Sequence, residues 1–230
     1  MVATKAPPRS TRRRVRALHR RLERSYGRAT RRRIDPLNEL MLTILSQNTS
    51  DTNRDRAYGA LRARFADWEA VRVAPRSELE LAIRPAGLWK QKARVLQETL
   101  NALFEEQDRL DLSHLDDLTD GEIIEYLTGL RGVGVKTAAC VLCFSLGRPY
   151  MPVDTHVHRV ARRLGLIPAR ATAEQAHELL NRDSSVPPEL RFAFHIQLIR
   201  HGRAVCRAGR PACNHCVLED LCPKVGVQTR

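Results

Sequence analysis

Lys136 stands two residues beyond Gly134 in LRGVGVKTAAC (130–140), and Asp154 follows eighteen residues later in PVDTHVHRV. Four cysteines, Cys206, Cys213, Cys216 and Cys222, crowd into seventeen residues near the end of the chain. These are a nucleophile, a carboxylate and a set of soft ligands. A lysine amine attacks carbon only when neutral, and free lysine keeps its proton to about pH 10.4. Desolvation and the positive end of a helix both disfavour the ammonium form. At the start of KTAACVL, Lys136 would be expected to feel both, and Schiff-base lysines are an established class of covalent catalyst. The other reading is a solvated surface lysine. A carboxylate such as Asp154 stabilises an electron-poor carbon, or caps the helix THVHRVARRLG, and one residue can do both. Four thiolates hold zinc or an iron–sulfur cluster. Zinc sites more often pair two C-x2-C units, whereas here one C-x2-C is flanked by gaps of six and five. Such uneven clustering favours a metal over a disulfide framework. Cys140 and Cys143, at i and i+3 of an apolar helix, read as core thiols. His156 and His158, two apart, point to different faces of a helix and do not form a shared metal site.

The elements that must carry these groups are helical nearly throughout, so the fold class is all-α. Val15, Leu18 and Leu22 in RRRVRALHRRLERSYG are spaced as one helix face requires. Asp35-Pro36 opens a helix in DPLNELMLTILSQNTSD that is apolar enough to be buried on several sides. TNRDRAYGALRARF and QKARVLQETLNALFEEQ are amphipathic. Thr119 with Glu122, and Thr172 with Gln175, fit capping boxes. EIIEYLTGL stops near Gly129; Gly132 and Gly134 then permit positive φ or close backbone approach before the next helix. Such a helix–hairpin–helix presents backbone N–H groups of Gly132, Gly134 and Val135 to a phosphate oxygen.

The chain of 230 residues carries a net charge of +13, very unevenly placed. Residues 1–34 hold thirteen Lys/Arg against one acid, while the rest hold 26 basic and 25 acidic side chains. A basic N-terminal arm of this kind suits a polyanion such as DNA or RNA, or is a solvated tail with no specific ligand. No apolar run is long enough to span a membrane. The start of the chain lacks the apolar stretch of a secretory signal, although its basic, acid-poor composition also fits an organelle transit peptide. The expectation is an intracellular protein, cytoplasmic and associated with the nucleoid.

LRGVGVKTA, then VDTHVHRV, then C-x6-C-x2-C-x5-C, in that order, resemble the endonuclease III branch of the helix–hairpin–helix DNA glycosylases over residues 35 to 223. The resemblance implies a six-helix barrel domain (37–149, with the hairpin at 121–146) and an iron–sulfur cluster domain (150–230, joined by the arm and helix of 1–36). It implies a bifunctional DNA glycosylase and abasic-site lyase that removes oxidised pyrimidines from duplex DNA as a monomer. Lys136 would attack C1′ and Asp154 would stabilise the charge developing on the sugar. Cys206, Cys213, Cys216 and Cys222 would hold a [4Fe–4S] cluster, and Arg207 and Arg210, with Arg200 and Arg203 before them, would meet the DNA backbone. A flipped base leaves a gap that must be filled. The family fills it from two loops, matched here by Asn48, with Gln47 before it, and by the apolar wedge Leu88. Trp89 packs in the core by default. The sequence departs from the family at Asn48, where glutamine is usual, at Arg131, where proline is frequent, and at Val135, where a basic residue is.

Two other readings stand beside this one. A relative specialised for oxidised guanine or a mismatch is the first. Adenine-specific members generally lack the lysine and carry a further domain, whereas Lys136 is present and eight residues follow Cys222. The second is a non-catalytic iron–sulfur DNA-binding module, which has no evident need for both Lys136 and Asp154.

Overall fold

A computed structural model describes residues 9–181 and 185–228, and everything found in them is helix, turn or loop, with no strand. Eleven α-helices are present among the described residues. They are α1 (Arg9–Tyr26), α2 (Pro36–Ser46), α3 (Asp51–Arg64), α4 (Trp68–Val73), α5 (Arg76–Ala82), α6 (Trp89–Gln107), α7 (Asp120–Gly129), α8 (Val135–Cys140), α9 (Thr155–Arg163), α10 (Ala173–Asn181) and α11 (Arg191–Ala204). No helix among the described residues is long and apolar enough to cross a membrane. The chain divides into two compact units, one of residues 33–147 and one of 1–32 with 148–230. These joins lie a few residues from those expected.

The unit of 33–147 holds α2 to α8. Asp35 caps α2 by accepting from Asn38 N, with Pro36 at the first helical position, where its missing N–H costs nothing. Leu40, Met41, Ile44 and Leu45 are all fully buried, as an apolar helix lodged among others must be. Thr119 and Glu122 close a reciprocal capping box at the start of α7. After α8 the helix widens to a π-helical turn over Val141–Ser145, which carries the buried thiol of Cys143; Cys140 is buried just before it. Both cysteines lie in the core, as their spacing suggests.

In the other unit α11 packs against α9 and α1. Val15, Leu18 and Leu22 of α1 are fully buried with Val157, Val160, Phe194 and Leu198. Thr172 and Gln175 exchange side-chain-to-backbone hydrogen bonds of 3.2 and 3.0 Å, starting α10 as their spacing predicts.

The basic N-terminal segment is not a free arm from Arg9 onward. It is α1, and much of its charge is used inside the unit. Arg14 donates to the carbonyls of Leu164 and Leu221. Arg21 forks onto the Asp220 carboxylate, and Arg16 pairs with Glu189 at 2.6 Å. Arg31, beyond the helix, lies 4.6 Å from the Phe192 ring centroid. Residues 1–8, with Lys5, lie outside the described residues.

Candidate active site and cysteine loop

The hairpin between α7 and α8 is set by one glycine. Gly132 has φ +80, and a Cβ placed on it would come within 2.7 Å of Val95 Cγ1 on α6. Of the two roles expected for Gly134, left-handed freedom is not the one it supplies, since its φ is −103. A Cβ there would meet nothing within 4 Å, which leaves that stretch of backbone open to approach. Arg131, at the position where proline is frequent, reaches back to Glu98 on α6 at 3.3 Å.

Lys136 follows in the first turn of α8, half-buried and without a hydrogen bond or ion pair among the described residues. Its electrostatic neighbour is one that sequence reading missed. Glu39 of α2 is 5% exposed, and its carboxylate accepts from Thr43 Oγ1 at 3.0 Å. Burial pushes the Glu39 carboxyl up to about 7, while the Thr43 bond and the charges of Lys136 and Arg54 pull it back. The signal was available in the sequence, as the one acid within the apolar run LNELMLTIL.

Two loops of the same unit carry the residues expected to enter DNA. Asn48 is exposed in a left-handed turn (φ 50) just past α2. Gln47 is engaged instead with the hairpin, its Nε2 donating to Gly132 O at 3.4 Å. Leu88, at the N-cap of α6, is also left-handed (φ 48) and is 51% exposed. A branched side chain is uncommon in that backbone region. Trp89 is half-buried, with the Arg84 guanidinium 5.7 Å from its ring, so it is not the core residue expected.

In the other unit Asp154 is the N-cap of α9, Oδ1 accepting from Val157 N at 2.7 Å. The strap before it is held at each residue. Met151 N donates to Asn181 Oδ1 at 2.6 Å, the carbonyl of Pro152 takes His195 Nδ1 at 2.8 Å, and Val153 N donates to His177 Nε2 at 2.9 Å. His177 therefore carries its proton on Nδ1, which faces the Ala173 carbonyl at 3.0 Å. His158 donates to Ala171 O at 2.8 Å, a structural role, and His156 takes a hydrogen bond from Arg159 at 3.0 Å.

Cys206, Cys213, Cys216 and Cys222 line a single cavity with His201, Leu164 and Leu218. Backbone N–H groups of Leu218 and Lys224 point at the sulfurs of Cys216 and Cys222, both at 3.4 Å. Burial pushes the thiols of Cys216 and Cys222 up, and charge on the neighbouring cysteines adds to it. Arg163, 5% exposed, organises the start of the loop: it donates to Arg207 O at 2.7 Å and Ala208 O at 2.9 Å and reaches Cys206 Sγ at 3.3 Å. Among the described residues no three Cys, His, Asp or Glu side chains stand as a group that could hold one metal ion. Four cysteine thiols lining one cavity are soft donors of the kind that a metal or a metal cluster takes. Arg207 and Arg210 are exposed on this loop. Arg200 is used otherwise, donating to Tyr26 O at 2.7 Å.

Comparison with known proteins agrees with these motifs. Residues 41–184 match the family model described as HhH-GPD superfamily base excision DNA repair protein. Endonuclease III of Synechocystis is 34% identical over 82% of this chain and 81% of its own, and that of Escherichia coli K12 is 33% identical over 81% and 83%. A candidate DNA glycosylase of Arabidopsis thaliana is 37% identical over 83% of this chain, which spans only 62% of that protein's length. The structure of a trapped endonuclease III–DNA covalent intermediate superposes with a TM-score of 0.78 at 28% identity, covering 93% of this chain and 96% of that one. The chain thus belongs to the HhH-GPD superfamily of base excision DNA repair proteins and, within it, to the endonuclease III family.

Proposed function

We propose that the protein is a bifunctional DNA glycosylase and abasic-site lyase that acts on oxidised pyrimidines in duplex DNA. The observation that carries this is Lys136: half-buried, unpaired by any hydrogen bond among the described residues, and placed at the start of α8 directly after the Gly132 hairpin. A lysine that only packed or solubilised has no reason to sit there. In the reaction the neutral amine of Lys136 forms a bond to C1′ as the bond from C1′ to the base breaks, and the base leaves with the electron pair. The sugar ring opens to a Schiff base between Nζ and C1′. Loss of a C2′ proton then expels the 3′ phosphate by β-elimination. Asp154 is the carboxylate that stabilises the electron-poor sugar, and its Oδ1 is already oriented by the Val157 N–H.

The four cysteines are the ligands of a [4Fe–4S] cluster, whose contribution when bound is to pin the loop that carries Arg207 and Arg210. A loop fixed in advance meets phosphates at a lower ordering cost. Double-stranded DNA is the partner, gripped at the hairpin through the open backbone at Gly134 and Val135.

Borohydride trapping tests this on a duplex with one thymine glycol, run beside an abasic-site duplex. A covalent complex on both that is absent in Lys136→Gln is the expected result. Trapping on the abasic duplex alone would retain the lyase and overturn the pyrimidine assignment. No trapping on either, with DNA binding intact, would overturn the enzymatic reading.

A further inference from the structure

Lys92 takes no part in the chemistry above and pairs with no carboxylate among the described residues, yet it is 3% exposed. Its Nζ donates to Leu45 O and to Ala86 O, each at 2.8 Å. Burial alone pulls its pKa below that of an ordinary lysine. Each carbonyl lies at the C-terminal end of a helical segment, Leu45 in the last turn of α2 and Ala86 closing a 3-10 turn (Arg84–Ala86). Carbonyls in such positions lack partners of their own helix, and a cation is favoured there. Both carbonyls also lie just before a backbone reversal. Three residues after Leu45 the chain turns left-handed at Asn48, and two residues after Ala86 it does the same at Leu88. These are two of the four non-glycine residues with positive φ among those described.

A buried charge costs far more than a water or a side-chain hydroxyl would for satisfying two carbonyls. What the ammonium adds is reach in two directions from one atom, so the two loops share a single anchor. We propose that Lys92 is a positioning residue for strand insertion, clamping the α2–α3 loop and the Leu88 loop to each other so that Asn48 and Leu88 are presented to the duplex as one unit. The proposal rests on the reading of Asn48 and Leu88 as gap filler and wedge.

The wedge acts only on a stacked, paired substrate, whereas the Lys136 amine serves any abasic sugar. The ratio of duplex to single-strand cleavage at an abasic site, under single turnover, therefore isolates insertion from chemistry and from folding. Lys92→Met should lower that ratio by about tenfold or more, since small displacements of a positioning group carry costs of that order. Leu88→Ala should lower it similarly, and the double variant should be no worse than the poorer single one, because both remove the same function. Lys92→Gln, whose amide still donates to carbonyls, should recover part of the ratio and carries the test if Lys92→Met fails to fold. Equal losses on both substrates, or full additivity in the double variant, would show Lys92 to be a structural tie only and overturn the proposal. If Leu88→Ala lowers the ratio while both Lys92 variants keep it at the wild-type value, the clamp is wrong and the wedge stands. A wild-type ratio in Leu88→Ala removes the wedge itself and the proposal with it.

Discussion

Glu39 shows what a single residue can reveal when its surroundings are read with it. Its carboxyl sits in an apolar helix, and burial raises its folded-state pKa to about 7 from an ordinary 4.5. Below about pH 4.5 it is protonated both folded and unfolded, and its full contribution to stability is present. As pH rises through 7 the unfolded chain is already ionised while the folded one must ionise in the core, so stability is lost. At about 1.4 kcal/mol per unit the loss is on the order of 3 kcal/mol. Urea denaturation of Glu39→Gln should accordingly show a variant more stable than wild type at pH 8, with the gap narrowing at pH 5. A gap that does not change between the two pH values means that the charge is better solvated than its burial implies. Neither Glu39 nor Lys92 was read as special from the sequence, although Glu39 carried a signal as the one acid of an apolar run and Lys92 carried none. The partners that give Lys92 its meaning include Leu45, 47 residues away, and no periodicity within a helix encodes them.

At the scale of elements, most of what was legible was local. The α1 stripe of Val15, Leu18 and Leu22, the two capping boxes and the Asp35–Pro36 start each involve residues within a few positions of one another. Local chemistry therefore specifies them. The hairpin was only half legible. That Gly132 needs its missing Cβ follows from a positive φ and from Val95, which comes from another helix. A Gly132→Ala chain should lose about 1–2 kcal/mol from the backbone strain alone, and more from the contact at 2.7 Å with Val95 Cγ1. Adding Val95→Ala should return the share due to crowding and leave the strain, as thermal melts of the single and double variants would measure. Full recovery in the double variant would mean that crowding, not φ, is what Gly132 avoids.

For the whole molecule, net charge proved a poor guide to where charge works. The count of thirteen basic residues before position 35 points outward to a polyanion, but Arg14 and Arg21 are bonded within their own unit, to carbonyls and a surface carboxylate that lie 150 to 207 residues later. Arg13, Arg20 and Arg24 remain exposed on α1. Replacing those three with glutamine should flatten the slope of log affinity against log salt, by about 0.9 for each phosphate no longer neutralised. Replacing Arg14 or Arg21 with alanine should instead lower the melting temperature. Anisotropy titrations over a salt series, set beside melts, separate the two groups; a slope that does not move in the triple variant would show that α1 does not face DNA.

The unit that holds the cysteine loop is assembled from both ends of the chain, 1–32 and 148–230, with the other unit lying wholly between them in sequence. This imposes an order on synthesis. The segment 33–147 is continuous, so its internal contacts can form as it leaves the ribosome, whereas α1, made before it, must wait for α9 and α11 before Val15, Leu18 and Leu22 have anything to pack on. Meanwhile that apolar stripe is exposed, the condition in which nascent chains aggregate or are held by chaperones. The last cysteine emerges later still, so neither the cavity nor the anchoring of α1 through Leu221 is complete until Cys222 has been made. A chain truncated before Leu221 would lack both the last sulfur of the cavity and one of the carbonyls that hold Arg14.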